Sequence, residues 1–382
     1  MATNGIKIQR PVAVHVQIEN YLREQIRSGV LKAGDKLPTA PDLAAQLGVH
    51  VVTVQKALRR LKMAGILHRT PRVGTFIRSS PQNAQIGIFF GIHLSDESAH
   101  FFRAVSKELQ ALIQRRKQKS RVYDDINTAN SEATFVKLPS YQHYLTDREH
   151  HIFEGIVVIG SDIKWIRFLK ETAHLPIVSG TSGEESGRDV CFDWGDFARE
   201  SISHLASRGR KRILYLRTVK DGYSDLDAFY RAVREHNFEE VQVEQLEMHV
   251  EHHYREAVAC ECIESLVSQW NRSKKMPDAL LVSDDIAMRG AALALARHRI
   301  KVPEAMEVVT WANEGIQHHY GIPVTKYEVS PRQFAQKLFD LLCVAIASSG
   351  ELQLPATPSM IKGCIVDGAP VRKPRVSGRA VR

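Results

Sequence analysis

Long apolar runs are missing from this 382-residue chain: the longest, such as Leu341 to Ala347, fall well short of the roughly eighteen residues a membrane-spanning helix needs. Residues 1–20 contain no apolar core of the signal-peptide kind, so nothing directs export, and a cytoplasmic location is expected. Cysteine is scarce as well. The five present, Cys191, Cys260, Cys262, Cys343 and Cys364, are odd in number and lack disulfide-framework spacing, which suits a reducing compartment. Cys260 and Cys262 stand one residue apart in a helical stretch, where side chains diverge, and read as ordinary buried thiols in preference to a metal site. His249, His252 and His253 have no nearby cysteine and no third-ligand pattern, and read as solvated histidines. Also absent are the G-x-x-x-x-G-K-[ST] phosphate loop, the G-x-G-x-x-G dinucleotide turn and the G-x-S-x-G nucleophile elbow. No cofactor is therefore expected. Asp284 and Asp285 would be an acid–base pair only if their side chains converged, and adjacent side chains usually point apart.

What the chain does have is positive charge, unevenly spread. Its composition, 43% hydrophobic and 25% charged, is that of a globular protein, and its length accommodates two or three domains. The net charge is +9, and residues 1–80 alone, with 13 Lys/Arg against 4 Asp/Glu, account for a surplus of that size. A tail from Val371 to Arg382 adds five basic residues and no acid, leaving residues 81–370 at −5. A basic module attached to a slightly acidic body points to a polyanion as partner of the first segment.

The pattern inside that segment is more specific. Val14, Ile18, Tyr21, Leu22 and Ile26 recur at helical spacing, with Gly29 where the helix would end. Thr39-x-x-Asp42 reads as a capping box opening a short helix with Leu43, Ala44 and Leu47 inward, broken by Gly48. A third helix is predicted from about Val51 to Ala64, with Val54, Ala57, Leu58 and Leu61 on one face and Gln55, Lys56, Arg59 and Arg60 mostly outside it. Ile66–Arg69 and Thr75–Arg78 read as strands joined around Pro71-Arg72-Val73-Gly74. Two helices about a glycine turn, then a hairpin, make a winged helix-turn-helix whose third helix would enter the major groove. The alternative use of such a module is protein contact, against which the local basic surplus argues.

The run Ile26-x-x-Gly29-x-Leu31-x-x-Gly34-x-x-Leu37-Pro38, then Leu43-Ala44-x-x-Leu47-Gly48-Val49, Thr53-Val54-x-x-Ala57-Leu58-x-x-Leu61 and Gly74-Thr75-Phe76 resembles the GntR-type winged helix over residues 11–78. That family usually has Arg where Pro41 stands and Ser-Arg where His50-Val51 stand, and Arg72 replaces its first wing glycine. The resemblance thus implies fold and class, while the family's usual base preference does not carry over. The DNA-contacting candidates are Thr39, His50, Thr53, Gln55, Lys56, Arg59, Arg72 and Thr75. Gln55 can pair with adenine, and Lys56 or Arg72 can reach guanine or phosphate.

After a polar linker at residues 79–85, apolar strand runs alternate with helical ones. Strands are predicted at Ile86–Ile92, Ile156–Ile159, Ile177–Val178, Arg212–Leu216, Ala279–Val282 and Glu307–Trp311, and helices at Phe101–Arg116, Phe197–Ser207, Asp225–Glu235 and Ile286–Arg297. Repeated β-then-α units with fully apolar strands imply parallel sheet covered on both faces, and nearly 290 residues imply two lobes with a cleft. Ligands of such sheets sit beyond the carboxyl ends of the strands, which singles out His93, Ser161, Asp162, Ser179, Asp284, Asp285 and Asn313.

This order is similar to the periplasmic-binding-protein-like sensor of LacI/GalR-type repressors, over roughly 86–368. The resemblance rests on Ile86–Phe90 before His100-Phe101-Phe102, Asp193 to Gly209-Arg210-Lys211-Arg212-Ile213, Pro277-Asp278-Ala279-Leu280, Asp284-Asp285-x-Ala287-Met288-x-Gly290, and Val302-Pro303 before Val308-Val309. It implies a ligand-contacting acid at Asp285 and a stacking ring at Phe102. Asp225 stands where the family places an arginine, and Thr310-Trp311-Ala312-Asn313 where it has Gly-Phe/Tyr-Asp. Asp225 opposite Asp285 would favour a polyhydroxylated or cationic ligand; equally, Asp225 would cap its own helix. Trp311 reads first as core, with its strand-end position favouring ligand contact.

The expected fold is α/β: an N-terminal winged helix-turn-helix followed by a two-lobed, parallel-sheet periplasmic-binding-protein-like domain at 86–370 and a basic tail at 371–382. The expected function is a bacterial transcription regulator, in the repressor sense, whose affinity for double-stranded DNA responds to a small polar effector such as a sugar. Pairing of two chains on a palindromic operator and hinge closure around ligand complete that expectation. The rival is a winged helix fused to an enzymatic α/β domain, as in the aminotransferase-like members of the first family; the chain shows no recognisable strand-end Schiff-base lysine.

Overall fold

The computed structural model describes residues 13–27, 30–32, 34–63, 66–70, 73–77, 84–96, 99–150, 152–173, 175–180, 189–218, 225–246, 254–316, 318–347 and 357–368. The linker at 79–83, Arg72, the histidines 249, 252 and 253 and the basic tail at 371–382 lie outside the described residues.

The N-terminal module holds α1 (Val14–Arg27), α2 (Ala40–Leu47) and α3 (Val51–Met63), then β1 (Leu67–Thr70) and β2 (Gly74–Ile77), which pair antiparallel. Its core is its own: Ile18 and Leu22 from α1, Leu43 and Ala44 from α2, Val54, Ala57 and Leu61 from α3, and Leu67 and Ile77 from the hairpin. These are the apolar positions whose helical and alternating spacing marked the elements. Between α2 and α3, Gly48 takes a left-handed conformation (φ 64°) and its N–H returns to the carbonyls of Ala44 and Ala45. That geometry strains any residue with a Cβ, so the tight turn needs glycine. Thr39 caps α2 by accepting from the Asp42 N–H. The expected capping box is altered, because the Thr39 hydroxyl donates to the Asp42 carboxylate.

The remaining chain forms β3 (Ala84–Phe90), α4 (His100–Arg115), β4 (Lys119–Tyr123), α5 (Glu132–Phe135), α6 (Pro139–His150), β5 (Ile152–Ile159), α7 (Ile163–Ala173), β6 (Ile177–Gly180) and β7 (Asp189–Phe192). There follow α8 (Trp194–Ser207), β8 (Arg212–Arg217), α9 (Asp225–Glu235), β9 (Glu240–Gln245), α10 (Arg255–Ser273), β10 (Ala279–Val282), α11 (Asp285–Arg297), β11 (Glu307–Asn313), β12 (Thr325–Val329), α12 (Pro331–Ala347), β13 (Ser359–Ile361) and β14 (Cys364–Val366). Two six-stranded sheets result, in the orders β13-β7-β6-β5-β3-β4 and β14-β12-β11-β10-β8-β9. The central strand pairs are parallel, and β14 runs antiparallel to β12. Every residue of β6, β10 and β11 is buried, as a parallel sheet covered on both faces requires.

The chain divides into two compact units. One comprises the described residues up to Leu94 with Ser106–Val190 and Ala335–Ser359; the other takes Ser95–Val105, Cys191–Phe334 and the described residues from Met360. The first unit has an aromatic-rich core around Tyr123, Phe135, Tyr144, Trp165 and Phe153. In the second, one core packs α10 and α11 on β10, and another gathers Phe197, Tyr215, Phe229, Trp311 and Tyr327. Among the described residues no helix is long and apolar enough to cross a membrane.

The α10–α11 packing turns on one small residue. A Cβ built on Gly290 would collide with the Glu256 carbonyl and meet the Cys260 amide at 3.0 Å. Gly290→Ala should therefore cost the second unit about 1–3 kcal/mol as overpacking, although alanine is the better helix former. Urea unfolding followed by the fluorescence of Trp270 and Trp311 would check this; an unchanged midpoint would refute it.

Candidate nucleic-acid interface and ligand site

Burial of Val54, Ala57 and Leu61 at zero exposure fixes which way α3 turns. Its opposite face presents Val52, Gln55, Lys56 and Arg59, all exposed and spaced i, i+3, i+4, i+7 along one stripe. Thr53 and Thr75 are half-buried at its side and in the hairpin, and Thr39 is exposed at the start of α2. His50 caps α3: its Nδ1 accepts the Val52 N–H at 3.3 Å while its carbonyl takes the Thr53 N–H at 2.9 Å.

Arg60 lies outside the apolar face, as its spacing implied, and pairs across the module. Its Nε donates to Glu19 on α1 at 2.7 Å, and Arg23 donates to the other carboxylate oxygen at 2.7 Å. Glu19 is only 6% exposed. Burial pushes its carboxyl up, but the hydrogen bonds and charges of Arg23 and Arg60 outweigh that and hold it below the ordinary 4.5. The clamp joins α1 to α3 and removes one arginine from the basic face. Sequence spacing put Arg60 at the rim of the helix and carried no sign of a partner 41 residues away.

In the second unit, Asp284 and Asp285 do diverge. Asp284 caps α11, accepting the N–H groups of Ile286 and Ala287 at 3.0 and 2.8 Å, and takes the Arg255 guanidinium at 2.6 Å. Asp285 is turned elsewhere: one carboxylate oxygen accepts from Asn313 Nδ2 at 2.9 Å and lies 3.2 Å from His318 Nε2. The Tyr320 hydroxyl donates to the Asp285 carbonyl at 3.4 Å, and the His100 ring stands 5.6 Å from that of His318. Burial, then the Arg103 and His318 charges, lower the His100 pKa below its usual range, so the ring stays neutral more readily than an exposed histidine. Two sequence candidates, Asp285 and Asn313, are thus brought into direct contact. His318, Tyr320 and His100 were missed; the paired His318-His319 just beyond β11 was the available signal.

The other ligand candidates have separate settings. Phe102 is half-buried with its ring edge against Phe101, 5.7 Å between centroids. The Trp311 ring is 5% exposed, stacks on Trp194 at 4.2 Å and meets Phe192 and Phe197 edge-on, which puts it in the aromatic core. Asp225 opens α9, and its side chain lies outside the described residues. In the first unit, Ser161 is buried and its hydroxyl donates to Asn127 Oδ1 at 3.3 Å, while Asp162 N–H donates to the same oxygen at 3.0 Å. His93 is exposed, 3.5 Å from Asp124, at a cavity of about 520 Å³ beside the end of β4 that Asp125, His143 and Asp147 also line. Cys260 is buried and Cys262 half-buried, and desolvation pushes the Cys262 thiol up to about 11.

Comparison with known proteins places these features in context. Residues 15–77 match the family of bacterial regulatory proteins, gntR family, and residues 202–366 match the periplasmic binding protein-like domain. An HTH-type transcriptional regulator of Mycobacterium tuberculosis is 44% identical over 69 residues, 18% of this chain and 57% of that protein. The mannosyl-D-glycerate transport/metabolism system repressor of Escherichia coli K12 is 43% identical over 70 residues, 18% of this chain and 29% of that protein. The chain therefore spans less than two thirds of the length of these relatives. The Cra transcriptional dual regulator of Pseudomonas putida, in complex with fructose 1-phosphate, aligns with a TM-score of 0.53 at 15% identity, over 75% of this chain and 98% of that one. A LacI family regulator from Arthrobacter sp. FB24, in complex with lactose, aligns with a TM-score of 0.56 at 15% identity, over 74% and 98%. The chain thus joins a segment matching the gntR-family helix-turn-helix to one matching the periplasmic binding protein-like domain, and it shares the fold of LacI-family regulators of known structure.

The Glu19 clamp gives a pH signature. A carboxyl depressed in the folded state adds stability above its unfolded pKa of about 4.5, lost as pH falls through the folded value. Glu19→Gln should reduce amide-exchange protection of α1 and α3 at neutral pH by about 1–3 kcal/mol. It should also remove the acid-dependent part of that protection below pH 4.5. An exchange profile matching the wild type across that range would show that the clamp contributes nothing.

Proposed function

We propose that this chain is a ligand-responsive transcription regulator, acting as a repressor, that binds double-stranded DNA through its winged helix and a small polar metabolite through its α/β domain. The observation that carries the reading is the exposed stripe Gln55, Lys56 and Arg59 on a helix whose other face buries Val54, Ala57 and Leu61 in a helix-turn-helix core. Polar amide and cationic ends presented together supply base-edge hydrogen bonds and salt-sensitive phosphate affinity. In this reading residues 1–78 form the DNA-binding module, 79–85 a linker, 86–370 the sensing and dimerisation domain, and 371–382 a basic tail. Two copies on a palindromic operator would set their winged helices about one helical turn, roughly 34 Å, or a small multiple apart. The protein acts in the cytoplasm, as a regulator and not as an enzyme, and needs no cofactor.

For the effector, Asp285 with Asn313 and His318 offers an acceptor carboxylate flanked by donors, a set suited to hydroxyl groups. The sugars held by two of the structural neighbours support a carbohydrate-like ligand. Phe102 and Asp225 remain secondary contacts in this reading, Trp311 belongs to the aromatic core of the same unit, and His93 and Ser161 remain candidates within the first unit. Coupling between ligand and DNA is expected at about 1–3 kcal/mol, enough to change occupancy several-fold or more.

Fluorescence anisotropy with duplex from upstream of the chain's own gene, against unrelated duplex at two salt concentrations, tests the DNA arm. Gln55→Ala/Lys56→Ala should lose most of the preference, and Lys56→Ala alone should reduce the salt slope by about 1. Weak binding, equal on both duplexes and untouched by the variants, would sink the assignment. A sugar screen on the same signal tests the ligand arm: Asp285→Asn should abolish the response to an active sugar while leaving DNA affinity intact. Retention of the full response in that variant would remove Asp285 from the site.

A further inference from the structure

The solvent stripe of α3 begins with a residue that neither stability nor solubility explains. Val52 is 62% exposed, whereas Val54, two residues on, is at zero. A β-branched side chain is a mediocre helix former, and this one recovers little by packing. It occupies the second position of α3 and leads the stripe that continues with Gln55, Lys56 and Arg59, all exposed. In a helix-turn-helix the N-terminal residues of the second helix face base edges, so an exposed apolar group there meets the floor of the major groove. The apolar feature of that floor is the C5 methyl of thymine.

From this we propose that Val52 determines specificity by packing on a thymine methyl, so that each half-site carries a T·A pair under the start of α3. The proposal rests on the DNA-binding reading above and deepens it. Gln55 lies one turn further along the same stripe and has the paired acceptor and donor that match adenine N6 and N7. The two side chains together therefore read an A/T-containing half-site. His50 is the positioning residue. Its Nδ1 holds the Val52 N–H at 3.3 Å, which anchors the backbone carrying the methyl groups at the helix start. The same bond makes Nδ1 the acceptor, so in the neutral ring the proton sits on Nε2.

The experiment begins by selecting bound duplexes from a random pool with the full-length chain, then replaces each selected thymine in turn by uracil, which removes only the methyl. Wild type should lose about fourfold in affinity at one thymine per half-site, the equivalent of one buried methyl group. Val52→Ala and Val52→Ser should bind the thymine and uracil duplexes within a factor of about 1.5 of each other while keeping the other selected positions. His50→Ala should shrink the thymine-to-uracil ratio, and His50→Asn, which restores a capping oxygen, should recover it. A wild-type ratio of one at every thymine, or a ratio that Val52→Ala leaves at fourfold, overturns this inference and leaves the DNA-binding reading standing. Selection of no sequence at all overturns both.

Discussion

A parallel sheet buried on both faces has little room for polar side chains except at the ends of its strands, and that constraint organises most of this chain. The wholly buried β6, β10 and β11 are largely apolar, Thr310 in β11 being the exception, and turn polar where they stop. Asn313 is the last residue of β11, and Asp284 and Asp285 follow β10 after a single serine. Hydrogen-bonding chemistry thus accumulates at the carboxyl ends of the strands because the interior excludes it. The same exclusion explains why neighbouring aspartates behave so differently. One is consumed by a helix N-terminus and a guanidinium, and its neighbour is free to face amide and imidazole side chains.

The winged helix obeys a comparable rule on a smaller scale. With Val54, Ala57 and Leu61 committed inward, the rotation of α3 is decided, and every side chain on its far side is delivered to solvent as a set. Glu19 then selects among the basic residues, withdrawing Arg60 into a clamp with α1 and leaving Lys56 and Arg59 outward. A buried carboxylate in this basic module looks costly until its two arginine partners are counted, since an unpaired charge there would be unfavourable by several kcal/mol.

Much of this was legible in the residues alone. Helical spacing located α3 within a residue at either end, apolar runs located β10 and α9 to the residue, and Gly48 marked the turn. Fixed spacings in the first eighty residues carried the fold class. Less visible were α10 and α12, where apolar residues on more than one side blur the period, and β4, β9 and β12, whose alternating or half-polar character marks lateral positions in a sheet. The candidate site was half readable. Strand ends pointed to Asp285 and Asn313, whereas His318 and Tyr320 come from a loop whose path local pattern does not encode. Arg60 shows the other limit: its partner lies 41 residues earlier, and long-range pairing leaves no periodic trace. Trp311 was expected at a strand end, but β11 runs on to Asn313 and the Trp311 ring packs in the core against Trp194 and Phe197.

The interleaving of the two units bears on how the chain is made. Each is assembled from separated stretches, and the polypeptide passes between them five times, at residues 94/95, 105/106, 190/191, 334/335 and 359/360. The first unit needs α12, where Leu342 and Ile346 pack close to Gly155 of β5. On the ribosome, then, that unit stays unfinished until α12 has been made, while the small winged helix has every residue of its core in hand after the first eighty. A nascent chain is accordingly expected to hold a finished N-terminal module ahead of a body still waiting for α12.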